Sequence, residues 1–279
     1  MYMQGGLGAM QQKTTTFLTS LARAFGGAIL FAFPIMMTME TWWLGAYLSG
    51  EKIGLFMLVA LPILFGVSRA SGFRPTLNWF EDAVDTFVAY AVGLVTVAVF
   101  LWLFGVFDLD EPLAQAAGQI GLLSVPCAFG AILASKQLGN QRNSNEQRQS
   151  PDSTSYYNEL GIMVAGALYG AFTVSPTQEM YLIAYKASPW QLLGLIGISL
   201  LCMHGFVYSM SFRGEEYVER KLPFISYTVV GYAISLGMSA YMLWTFDRLD
   251  GLSLAAAAMV VIVLSFPASI GAAASRLII

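Results

Sequence analysis

The chain has 279 residues, of which 57% are hydrophobic and 11% charged, and its mean hydropathy is +0.64. A soluble domain carries about twice that charged fraction, and its interior could not hold so much apolar surface. The composition therefore excludes an ordinary soluble domain and predicts that lipid surrounds most of the chain. A net charge of −3 without a basic stripe argues against a nucleic-acid partner.

Eight apolar runs are long enough to cross a bilayer, which requires ~20 helical residues. Their length and their lack of alternation favour helices over the strands of a membrane barrel. We therefore predict an all-α fold class, a polytopic membrane protein with eight transmembrane helices. In chain order the predicted spans are 24–47, 53–70, 86–107, 114–135, 160–185, 190–211, 223–246 and 252–275.

The charged residues give this topology a direction. If the N-terminal segment, the connections after spans 2, 4 and 6, and the C-terminus share one side, that side holds eleven of the 14 Lys and Arg residues. The positive-inside rule then predicts that both termini are cytoplasmic. The polar stretch 137–158 predicts a cytoplasmic linker between two halves, 1–136 and 159–279.

The two halves resemble each other in sequence. A shift of 139 residues aligns the first two spans of each half, a shift of 142 the third and a shift of 141 the fourth. Because each half has an even number of spans, both copies face the same way, which predicts parallel repeats around a pseudo-two-fold axis along the membrane normal. Matched residues include Gly27 with Gly166, Glu40 with Glu179, Trp102 with Trp244, and Pro126 with Pro267.

Two carboxylates, Glu40 and Glu179, lie inside predicted spans, each two residues after a threonine and close to a proline. An ionised carboxylate at mid-membrane costs ~2.5–3.5 kcal/mol, so residues of this kind usually have a function. A proline in a helix frees a carbonyl, and carbonyl, hydroxyl and carboxylate oxygens are ligands for hard cations. Two glutamates near the axis would share a proton or cation. The predicted cation- or proton-binding residues are Glu40, Glu179, Thr38, Thr177, Gln178 and Ser175.

Other interpretations of the glutamates stay open. They are neutral groups that hydrogen-bond a neighbouring helix, or they lie near the outer headgroups, where Trp42 and Trp43 predict an interfacial belt. No enzyme motif is present, so we expect no enzymatic activity. With one histidine and two cysteines in apolar runs, we expect neither a metal nor a cofactor.

Two functions from different classes are the main candidates, ahead of an intramembrane enzyme that acts on lipid. The first is a cation or proton channel or transporter with its site between the repeats. The second is a non-transporting scaffold or accessory subunit that binds lipid or another membrane protein. A water-lined cavity that reaches both glutamates would favour the first, and a dry, packed axis with an apolar groove on the lipid face would favour the second. Membrane lipid is the expected partner, and a homo-oligomer is a further candidate.

The segment LARAFGGAILFAFPIMMTMETWWLG, together with the repeated T-x-E, resembles a family of bacterial integral membrane proteins without an assigned function. The likeness covers most of the chain apart from the linker. It implies an eight-span protein with an internal duplication in a bacterial inner membrane, and it implies no activity.

Overall fold

The computed structural model describes residues 3–70, 79–106, 112–140, 156–211 and 224–278. Within these ranges all regular structure is helical, which confirms the all-α fold class. The predicted linker 137–158 lies mostly outside the described residues. The helices are α1 Met3–Met36, α2 Met39–Tyr47, α3 Gly50–Ala70, α4 Trp79–Leu103, α5 Leu113–Asn140, α6 Tyr156–Val174, α7 Glu179–Lys186, α8 Pro189–Ser211, a π-helical turn Phe224–Val229, α9 Val230–Thr245 and α10 Leu254–Ile278.

Several of these helices are long and apolar enough to cross a bilayer. Five qualify by themselves, and α6 with α7 qualifies as one bent pair, so the described residues contain five or six candidate spans. Over Pro189–Gly205, α8 is a shorter apolar helix. The polytopic membrane class is confirmed, and the count of eight crossings stays a prediction. The five candidates are Leu18–Met36, Gly50–Arg69, Asp82–Leu103, Leu113–Ala134 and Leu254–Ser275.

Two predicted spans are not continuous helices. The span predicted at 24–47 is broken between α1 and α2, where Thr38 adopts an extended backbone with φ −92° and ψ 126°. The span predicted at 160–185 is broken between α6 and α7, which lie at 91° to each other. Pro176 explains the second break, because proline has no backbone N–H and disfavours a helical conformation at the preceding Ser175. The expectation of one continuous helix in each place was wrong.

Each half is organised around its last helix. In the first half, α5 packs against α1, α2, α3 and α4, and 83% of the residues in an apolar 18-residue stretch of Leu113–Ala134 are buried. In the second half, α10 packs against α6, α7, α8 and α9, yet only 39% of the residues in an apolar 18-residue stretch of Leu254–Ser275 are buried. The two central helices, α5 and α10, thus each pack against four helices of their own half, but α5 is buried to a larger extent than α10.

Glycines bring the central helices close to their neighbours. A Cβ atom on Gly27 would lie 2.4 Å from the carbonyl oxygen of Gly130, and one on Gly166 would lie 2.3 Å from that of Gly271. No side chain fits at these distances. Consequently α1 meets α5, and α6 meets α10, with backbone against backbone, as small residues permit between membrane helices.

The two halves meet mainly where α3 packs against α6. Phe56 of α3 stacks on Phe172 of α6 with ring centroids 5.8 Å apart, and Phe246, next to the end of α9, lies 6.3 Å from Phe56. All three side chains are at most 2% exposed. We call these three residues the aromatic seam.

Candidate functional site

The first helix break, between α1 and α2, has its carbonyl groups occupied by nearby donors. The Thr38 hydroxyl donates to the Ile35 carbonyl oxygen at 2.7 Å, and the Thr41 hydroxyl lies 2.9 Å from the same oxygen. The Trp42 indole N–H donates to the Met36 carbonyl at 2.6 Å. Two carbonyls that the break frees are therefore already bonded within the protein.

The second break, between α6 and α7, receives its donors from nearby and from a distant turn. The Thr177 hydroxyl donates to the Val174 carbonyl at 2.9 Å. The guanidinium of Arg248, in the turn after α9, donates to the Pro176 carbonyl, and the Tyr181 hydroxyl donates to the Arg248 carbonyl. Because a guanidinium is always charged and like charges repel, Arg248 disfavours a bound cation at this carbonyl.

The two glutamates lie on separate short helices and not inside continuous spans. Glu40 is half-buried in the first turn of α2, and Glu179 is exposed as the first residue of α7. In the described part of the chain, α2 packs against α5 and α7 against α10, and α2 and α7 do not form a packed pair. The packing therefore does not bring these two helices together. A carboxylate in the first turn is stabilised by the helix dipole, which gives each glutamate a local role.

The other predicted ligands are placed as follows. Thr177 interacts with the Glu179 carboxylate, so the second T-x-E motif brings its threonine and glutamate together. Ser175 is fully buried, and its hydroxyl has no hydrogen-bond partner among the described residues. Gln178 is exposed. Within the described ranges, no three His, Cys, Asp or Glu residues lie close enough to hold a metal ion.

Two polar residues outside the predicted site also join helices. Gln119 of α5 is buried, and its amide nitrogen donates to the Trp42 carbonyl at 3.3 Å. Lys52, at the start of α3, donates to the Asp247 carboxylate, and its ammonium lies 5.4 Å from the Trp244 ring centroid. Lys52 therefore ties the two halves together beside the aromatic seam. Because Lys52 and Asp247 are 195 positions apart, no local sequence pattern reveals this pair.

The helices and the two breaks define an α-helical integral membrane protein with several crossings. A family model described as "Putative integral membrane protein (DUF2391)" matches residues 20–279. The chain belongs to this family, which confirms the expected membership in a family of integral membrane proteins and the lipid environment. No curated protein and no solved structure matches the chain.

Proposed function

We propose that this protein is a non-transporting membrane scaffold or accessory subunit, which acts by packing against other components of the membrane and catalyses no reaction. The aromatic seam is the observation that carries the proposal. An ion pathway between the halves needs polar groups or water along its length. At this position Phe56, Phe172 and Phe246 meet one another, with Phe172 and Phe246 centroids 5.6 Å apart.

The space beside the seam also leaves little room for water. A small cavity of about 10 Å³ lies between α3, α5 and α6, and its lining is apolar except for Tyr169. That volume is at the lower limit for one water molecule, which also needs two or more polar partners. The Tyr169 hydroxyl donates instead to the Phe31 carbonyl at 2.8 Å. At this place the contact between the halves therefore supports a packed helix interface and not a water-filled path.

An open apolar groove on the outer surface of the helices supports the same function. It lies between α7 and α8, has a volume of about 420 Å³ and is bordered by Leu182, Ile183 and Leu195. Among the residues that line this groove, Lys186 is charged and Gln191 is polar, and the other residues are apolar. A groove of this kind on a membrane helix suits the apolar side chains of another helix.

Reconstitution into sealed liposomes tests the proposal. Vesicles with the protein should show the same proton, sodium and potassium flux as protein-free vesicles, and the double variant Glu40→Gln, Glu179→Gln should not change it. An ionophore added at the end shows that the vesicles were sealed. Flux above the protein-free level that disappears in the double variant would overturn the scaffold function.

A cation or proton channel or transporter is the second candidate, and the paired helix breaks favour it. Thr38 and Thr177, which the shift of 139 aligns, both lie at a break and both begin a T-x-E motif. Discontinuous helices at corresponding positions of two halves often hold ion sites in transporters. The liposome experiment separates the two candidates, because only transport gives flux that depends on the glutamates. In this candidate the ligands would be Glu40, Glu179, Thr38, Thr177, Gln178 and Ser175.

We also propose that the chain crosses a bacterial inner membrane eight times, as two parallel halves with cytoplasmic termini. The crossings would be α1, α3, α4, α5, α6, α8, the π-helical turn with α9, and α10. The helix bounds support the duplication, since α3 begins at Gly50 and α8 begins 139 positions later at Pro189. On this proposal α2 and α7 are short helices at the outer face, between crossings.

Corresponding contacts give further support to the duplication. The close glycine contact of α1 with α5 recurs between α6 and α10, at positions that the shifts of 139 and 141 align. Tyr90 interacts with Ser124, and Tyr232 lies 3.0 Å from Ser265, measured between the two hydroxyl oxygens. The shift of 142 takes Tyr90 to Tyr232, and the shift of 141 takes Ser124 to Ser265.

A further inference from the structure

We propose that the protein binds a second copy of itself head to tail, with an aromatic face on α1 and α4 of one copy seated in the α7–α8 groove of the next. This inference deepens the proposed scaffold function and rests on the proposed duplication. The α1–α4 face consists of Phe33, Phe100 and Phe104, whose ring centroids lie 5.7 to 6.2 Å apart. The α7–α8 groove is the one bordered by Leu182, Ile183 and Leu195.

The contact between the two halves is not reciprocal. In the first half α3 packs against α6 of the second, but α8, which corresponds to α3, does not form a packed pair with α1 in the described residues. A two-fold relation would produce both contacts. One half therefore supplies a groove and the other an inserted face, which is a heterologous contact. Two surfaces then have no counterpart within the described chain. They are the α1–α4 face in the first half and the α7–α8 groove in the second half.

The α1–α4 face corresponds, under the proposed duplication, to the pair of rings that the second half contributes to the aromatic seam. Phe172 and Phe246 are at most 2% exposed, and both rings lie against Phe56. The shifts of 139 and 142 take these residues back to Phe33 and Phe104, which are 37% and 38% exposed. The first half thus presents the same pair of rings, and each of them is more than one-third exposed in the described structure.

The α7–α8 groove corresponds, under the proposed duplication, to the surface around Phe56 that contacts the Phe172 and Phe246 rings. The shift of 139 takes Phe56, the receiving residue, to Leu195, which borders the open groove. A cavity of ~150 Å³ holds benzene, so a groove of about 420 Å³ has room for two aromatic rings. The unequal burial of α5 and α10, 83% against 39% of the residues in an 18-residue stretch of each, agrees with this, because α5 packs against a helix of the other half and α10 does not form such a pair in the described residues.

These correspondences specify the contact in the assembly. Phe172 meets Phe56 inside one chain, so Phe33 of one copy should meet Leu195 of another. The same reasoning places Phe104 beside Leu195. Heterologous contacts close into a ring when the rotation between units allows it, and two copies would place four such halves around one axis.

Site-specific photo-cross-linking tests this contact in the native membrane. Two differently tagged copies are co-expressed, and benzoylphenylalanine replaces Phe33 in one of them. We expect a product that carries both tags, with the link mapped by mass spectrometry to the peptide around Leu195. Benzoylphenylalanine at Phe87, which is 63% exposed on α4, the helix that carries Phe100, is the matched control and should give no such product.

A second variant separates the contact from an effect on folding. Leu195→Trp fills the groove, so it should abolish the cross-link from Phe33 while the far-UV circular dichroism and the elution profile stay as in the parent. A link from Phe33 to Phe33 of another copy, a product with lipid alone, or an equal yield in Leu195→Trp would each overturn the head-to-tail contact.

A link inside the chain distinguishes failure of this inference from failure of the proposed function. A carbodiimide joins an amine to a carboxylate in contact with it, so it should join Lys52 to Asp247. With a protease site inserted in 141–155, the two halves should stay joined after cleavage. If this internal link forms and the Phe33 link does not, only the inference fails. If the cross-link between Lys52 and Asp247 is also absent, the contact between the two halves is contradicted, and so is the scaffold function that was proposed from it.

Discussion

Phe56 of α3 and Phe172 of α6 stack with ring centroids 5.8 Å apart and ring planes inclined by 25°. The contact joins the two halves of the chain. Lipid tails are as apolar as these rings, so the stabilisation at this place comes from close packing and not from removal of apolar surface from water. Packing of this kind is sensitive to lost volume, because neighbouring helices relax only partly into a cavity.

Phe56→Ala should therefore destabilise the folded protein. Truncation of a buried phenylalanine costs about 3 kcal/mol in well-packed cores, and Phe56 is 1% exposed. The measurement is the free energy of unfolding in mixed micelles or bicelles. Leu58→Ala on the same helix is the control, since Leu58 is 63% exposed and its truncation should cost under about 1 kcal/mol. An equal loss of unfolding free energy in the two variants would contradict the packing of Phe56 in the aromatic seam.

Alanine at Gly27 or Gly166 should push apart the helices that these glycines bring together. A Cβ on Gly27 would lie 2.1 Å from the Ala134 Cβ, and one on Gly166 would lie 2.3 Å from the Gly271 carbonyl oxygen. Overpacking of this kind costs about 1–3 kcal/mol, measured as a loss of thermal stability in detergent.

Gly26→Ala is the control for both glycine variants, because a Cβ there meets no atom within 4 Å. Alanine is a better helix former than glycine by about 1 kcal/mol, so this variant should be neutral or slightly more stable. The prediction fails if Gly27→Ala behaves like Gly26→Ala. A loss at Gly27 without a similar loss at Gly166 would count against the equivalence of the two contacts.

Arg248→Met should loosen α7 without unfolding the rest of the protein. The substitution removes the donor to the Pro176 carbonyl, and a hydrogen bond from a charged group contributes about 2 kcal/mol. Local opening would then be about 30-fold more frequent, so hydrogen exchange in Glu179–Lys186 should become faster by that factor. Arg69→Met, which removes an exposed cation at the end of α3, should leave this exchange unchanged. Unchanged exchange in Arg248→Met would show that Arg248 does not hold the break.

The ends of several helices were predictable from the sequence, because apolar length is a strong local signal in membrane proteins. The span predicted at 190–211 agrees with α8, Pro189–Ser211, within one residue at its start. The break at Thr38 was not predicted, because apolar residues continue through it and the extended backbone depends on hydrogen bonds to Ile35.

The aromatic seam was not predicted from the sequence, for a different reason. Residues that face lipid and residues that face another helix are both apolar, so the pattern of hydrophobic residues does not separate Phe56, which is buried, from Leu58, which is exposed. The T-x-E motif occurs twice in the sequence, at Thr38 to Glu40 and at Thr177 to Glu179. Its interpretation as one shared site depended on which helices pack together, and α2 and α7 contact different neighbours.

The orientation of the chain gives the last prediction. The excess of Lys and Arg on one side predicts that the N-terminal segment is cytoplasmic and that the turn after α9 is outside. Single cysteines at Gln11, which precedes the candidate span Leu18–Met36, and at Asp250, which is exposed, test this in a background where the native Cys127 and Cys202 are replaced by alanine. In intact spheroplasts a membrane-impermeant maleimide should label the cysteine at 250 and not the one at 11. Both should be labelled after the membrane is opened, which shows that each thiol is reactive. Labelling at 11 and not at 250 in intact spheroplasts would mean that the chain is inserted the other way round.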